Sequence, residues 1–97
     1  MLYTILCTDR PGQLALRQAT RPAHLAYLAT LQPRLAIVGP LLDPEGRPCG
    51  SLLLVEAADR AAAEEIAARD PYALAGLFES TVVRGFRAVF KDGEKAA

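Results

Sequence analysis

The sequence predicts one α+β domain, and three observations predict it. The chain has 97 residues, enough for one hydrophobic core and too few for two. Four short apolar runs, each bounded by turn-forming residues, have the length and composition of strands. Two segments of helical character separate the first run from the second and the third from the fourth. The order β-α-β-β-α-β is the ferredoxin-like arrangement, a four-stranded antiparallel sheet with both helices on one face. The domain is expected to span residues 1–91, followed by a polar C-terminal tail at 92–97.

Leu2 to Thr8 is apolar on nearly both faces and ends at the breaker DRPG, so it reads as the first strand. Thr20 followed by Pro22 resembles a capped helix start, and Leu25, Leu28 and Leu31 then repeat at helical spacing, which predicts a helix over Pro22 to Gln32. Leu35 to Leu42 (LAIVGPLL) is a strand interrupted by Gly39 and Pro40. The turn DPEGRP leads into CGSLLLVEA, the third strand. Asp59 caps RAAAEEIAARD, a run of good helix formers that the Asp70–Pro71 pair ends, and a short turn from Tyr72 to Leu77 follows. Thr81 to Phe90 closes the pattern as a long strand.

Eleven Lys and Arg balance eleven Asp and Glu, so no net field draws the chain to nucleic acid or to an anionic membrane. The opening MLYTILC has no basic lead-in and reaches Asp9 and Arg10 early, and no stretch approaches the roughly 18 apolar residues of a membrane span. The expectation is a cytoplasmic protein. Cys7 and Cys49 sit in or beside apolar stretches and read as free thiols. With one histidine they lack the spacing of a zinc site, so no metal is expected. Apolar residues on both sides of the LLLV run exceed what two helices can cover. A homodimer pairing sheet face to sheet face is the expected cover.

His24, the only histidine, shares the helical phase of Leu28 and Leu31 and should face the sheet. The stretch RPAHLAYL accommodates a neutral core histidine and a working imidazole equally well. Asp70 precedes a proline and is suited to cap the turn after it, but it also emerges at the end of the inward stripe that carries Ile66. Contact between His24 and Asp70 would fix the ring tautomer and leave the other nitrogen to move a proton. Arg21 could hold an anionic group, Gly39 and Pro40 could admit a ligand to the backbone, and Tyr72 could close an apolar wall with a hydroxyl. Arg84 interrupts VVRGF within the last strand and suits either a ligand or a subunit salt bridge. No nucleophile elbow, phosphate loop or nucleotide fingerprint is present.

In order, MLYTILCTD, RPAHLAYL, AIVGPLL, RDPYALAGLFE and the closing FRAVF resemble the YciI-like (YCII-related domain) family over about residues 1–91. The resemblance implies a dimeric α+β barrel of ferredoxin-like subunits with a pocket in which His24 and Asp70 face each other, beside Gly39, Pro40 and Tyr72. The compact LDPEGRPCG departs from the longer connection common in that family. The implied activity is that of a cofactor-independent lyase or isomerase, moving a proton on a small cyclic or aromatic acid or phenol. The alternative is a non-catalytic module that binds or senses a small molecule.

Overall fold

The computed structural model describes residues 1–97. Its elements in order are β1 (Leu2–Asp9), α1 (Leu14–Thr30), a 3₁₀ turn (Gln32–Arg34), β2 (Leu35–Leu42), β3 (Pro48–Glu56), α2 (Arg60–Arg69), the one-turn α3 (Pro71–Leu74) and β4 (Phe78–Phe86). A small ribbon of β5 (Phe90–Lys91) and β6 (Glu94–Lys95) follows. The main sheet has the order β2-β3-β1-β4, with every neighbouring pair antiparallel.

Register explains the core. Val38, Leu53, Ile5 and Val83 lie opposite one another across all four strands, and Leu53 and Ile5 are each only 1% exposed. Val55, Tyr3 and Cys7 extend this inward surface, and Ala63, Ile66 and Ala67 of α2 close over it together with Leu31. Alternation sends the intervening row outward, where Leu6, Val82 and Phe86 remain 40–42% exposed. At Gly50 β3 leaves no room for a side chain beside β1: a Cβ there would lie 2.5 Å from the Cys7 carbonyl oxygen. Only glycine fits.

Three expectations are corrected. The sheet is not closed into a barrel; β2 and β4 are its free edges, and four strands leave it open. The first helix begins eight residues before Pro22, and Pro22 lies inside it. A proline there removes the bond to the Gln18 carbonyl and costs about 3 kcal/mol. The upstream turns persist because Arg17 anchors them through a buried pairing with Asp9, and breaking such a pair costs about 3–5 kcal/mol. The last strand starts earlier than expected and stops at Phe86. The chain then reverses through Asp92 (φ 52) and Gly93 (φ 78), the paired left-handed residues of a tight hairpin turn.

The β2–β3 connection is held by its own bonds. Asp43 Oδ1 accepts the N–H groups of Glu45 and Arg47, both at 2.9 Å. Those bonds, chiefly the one from the Arg47 backbone, hold its carboxyl below the usual range. No helix is long and apolar enough to cross a membrane.

Two measurements check this packing. Leu53→Ala, which empties the centre of the inner row, should lower unfolding free energy in urea by about 2–5 kcal/mol. Burial pushes the Cys7 thiol up to about 11, while Cys49 is exposed. Iodoacetamide at pH 8 should therefore alkylate one thiol in the folded protein, at Cys49, and both in urea. Equal labelling of the two in the native state would contradict the buried register of β1.

Candidate active site

Helix α1 presents Arg17, Arg21 and His24 at intervals of four and three residues, so all three emerge on one side. His24 is buried against the end of α2 and start of α3, with Nδ1 2.9 Å from Asp70 Oδ1. Asp70 is 1% exposed. The same oxygen accepts the Tyr72 N–H at 3.0 Å, so one carboxylate both caps α3 and holds the imidazole. A carboxylate offers only acceptors, which places the ring proton on Nδ1 and leaves Nε2 with a lone pair. Nε2 has no protein partner. Every fully buried side-chain nitrogen or oxygen in the protein has one, so Nε2 is reached from the adjoining cavity.

The ring of Tyr72 stacks on the imidazole with centroids 4.0 Å apart and planes 22° from parallel. The Arg17 guanidinium lies 4.5 Å from the centre of the same phenol ring. Burial raises the Tyr72 phenol above its ordinary value, with the Arg17 cation pulling back, so the hydroxyl keeps its proton near neutrality. Arg17 is itself 5% exposed. It donates from Nε to Asp9 Oδ2 at 2.7 Å, and from Nη2 to Asp9 Oδ1 at 2.9 Å and Ser51 Oγ at 2.8 Å. Burial works against this cation, and its bonds to Asp9 more than offset that, so its affinity for the proton rises.

The cavity beside Nε2 measures about 190 Å³, and His24, Arg17, Arg21, Ser51 and Tyr72 meet there with Gly39 and Pro40. A space of this size suits a small molecule such as a single substituted ring. Of the residues singled out in the sequence, His24, Asp70, Arg21, Gly39, Pro40 and Tyr72 come together. Arg84 does not: it pairs with Thr4 on the outward face of the sheet. Sequence reasoning passed over Arg17, Asp9 and Ser51. One signal was available, since Arg17 stands seven residues before His24 and so shares its inward phase, where a cation requires a partner. No three His, Cys, Asp or Glu side chains converge in metal-binding geometry.

Comparison with known proteins places this geometry. The model of the YCII-related domain matches residues 1–87. Protein YciI of Escherichia coli O6:H1 is 38% identical over 98 residues, which cover 93% of this chain and 100% of that protein. An uncharacterised protein of Haemophilus influenzae is 37% identical over the same coverage. Among solved structures, 5-chloro-2-hydroxyhydroquinone dehydrochlorinase from Burkholderia phenoliruptrix, in complex with 2,5-dihydroxybenzoquinone, is similar with a TM-score of 0.83. Its identity is 35%, over 90% of this chain and 94% of that one. With the family pattern matched from residue 1 to residue 87 and its relatives aligned over their full length, the chain belongs to the YCII-related domain family.

Proposed function

We propose that the protein is a cofactor-independent lyase or isomerase that uses His24 as general base on a small cyclic or aromatic acid or phenol. The observation that carries this reading is the buried 2.9 Å contact between His24 Nδ1 and Asp70 Oδ1, with Nε2 open to the cavity. Nε2 takes a proton from a substrate O–H or C–H, and the imidazolium so formed is stabilised by the Asp70 carboxylate. Return of that proton at another atom completes an isomerisation. Departure of a leaving group with its bonding electrons, as the carbon–hydrogen pair forms a double bond, completes an elimination. The similar dehydrochlorinase with a dihydroxybenzoquinone bound supports a ring compound bearing oxygens as the substrate class. Tyr72, whose hydroxyl stays protonated, serves as a wall and a donor, which leaves His24 as the base.

The reading is tested by screening small cyclic acids, lactones and halogenated phenols for turnover. On any substrate found, His24→Gln should lower kcat by about 10²–10⁴ with circular dichroism unchanged. Asp70→Asn keeps an oxygen for the Tyr72 N–H but loses the carboxylate charge, and should also lower kcat. Parent rates in both variants would assign the pair to the scaffold.

The same proposal includes a homodimer. Leu6, Val82 and Phe86 lie on the sheet face that no helix covers, and a two-fold pairing of that face buries them without exposing a new surface. Sedimentation at micromolar concentration should give twice the chain mass, and a monomer there would remove this part of the reading.

A further inference from the structure

We propose, resting on the reading above, that Tyr27 is a positioning residue whose phenol holds α2 at the height at which Asp70 meets the His24 imidazole. Tyr27 stands three residues after His24 on α1, and Ile66 stands four residues before Asp70. The contacts His24–Asp70 and Tyr27–Ile66 therefore run in opposite chain directions, as successive rungs between antiparallel helices do. The Tyr27 hydroxyl donates to the Ile66 carbonyl at 2.8 Å, the only hydrogen bond that α1 makes with α2.

The end of α2 leaves that carbonyl open. Asp70 departs from helical geometry (φ −60, ψ 127). Its N–H bonds Ala67 O at 3.4 Å and not Ile66 O, which a continuing helix would offer it. A phenol from the neighbouring helix closes the orphaned acceptor. The Ile66 side chain is buried in the core and the Tyr27 ring packs against the same cluster, so both ends of the rung are anchored. Burial, and next the Asp70 carboxylate, raise the Tyr27 phenol above its ordinary value, so it remains an O–H donor near neutrality.

One rung alone is a hinge. Asp70 Oδ1 also accepts the Tyr72 N–H, which fixes the carboxylate to α3, so its contact with His24 depends on where α1 stands. Starting at 2.9 Å, that contact ceases to be a hydrogen bond after a slide of about 1 Å. A second rung one turn along stops both slide and twist. The proton on Nδ1, which leaves Nε2 its lone pair, is kept in place by that constraint. Tyr27 does not line the cavity, so it acts only through the pair.

His24 is the only histidine, so imidazole nitrogen resonances of isotope-labelled protein read it alone. At pH 8, above the usual imidazole range, the parent protein should carry the ring proton on Nδ1 and exchange it slowly with water. Tyr27→Phe keeps the ring and removes the hydroxyl; it should speed that exchange at least about tenfold and populate the Nε2–H tautomer. Val83→Ala truncates the core at β4, across the sheet from the cavity wall of β2 and β3, and touches neither rung. It should lower stability and leave the His24 signals unchanged. Parent tautomer and exchange in Tyr27→Phe, or an equal change in Val83→Ala, overturns the proposal. An Nε2–H tautomer in the parent overturns the pair and this assignment together. The resonances are read without turnover, so a Tyr27-dependent Nδ1–H alongside parent rates in His24→Gln would sink the catalytic reading and leave this assignment in place.

Discussion

A carboxylate enclosed almost completely by protein must be bonded or it will not stay ionised, and Asp70 is the carboxylate on which this arrangement depends. It ends α2, begins α3 by accepting the Tyr72 N–H, and fastens α1 through His24. Three helices are thereby referred to one side chain. The Tyr72 ring is set against the imidazole by the same turn, so the orientation of the imidazole and the shape of its wall share a cause. Loss of the contact would free the packing of α1 against α3 as well as the orientation of the imidazole.

The site has two layers of alternate character. Basic groups face the cavity, and each of the two buried acidic groups stands one step behind a basic one. This keeps the lining free of carboxylates while no buried cation goes uncompensated. Almost all of the lining's basicity comes from α1, whose Arg17, Arg21 and His24 keep a constant spacing on a rigid rod. Sheet and α3 then supply what holds that rod at the correct depth.

Much of this was legible from residue types. Alternation in β1 and the LLLV run predicted the sheet, and the phase of His24 with Leu28 predicted its inward direction. Family resemblance supplied Asp70 as its partner, which local sequence could not, because the two residues lie 46 positions apart. What escaped notice was polar burial. Arg17 lies ahead of the helix expected from Pro22, and Asp9 within the breaker DRPG, and a charge advertises its burial only when its partner is known. The barrel expectation failed for another reason: closure needs strands beyond the four that one chain supplies, and the chain's own pattern is satisfied by an open sheet.

The β2–β3 turn is closed by Asp43 acting on its own neighbours, and it touches the cavity only at its exit, through Pro48. Its integrity owes nothing to His24, Asp70, Arg17 or Asp9. A change of length between residues 43 and 47 would thus reshape the mouth while leaving the His24–Asp70 and Arg17–Asp9 pairs untouched. The fold thus keeps the buried polar pairs apart from the entrance, and a surface turn of this kind accepts changes of length more readily than the elements it joins.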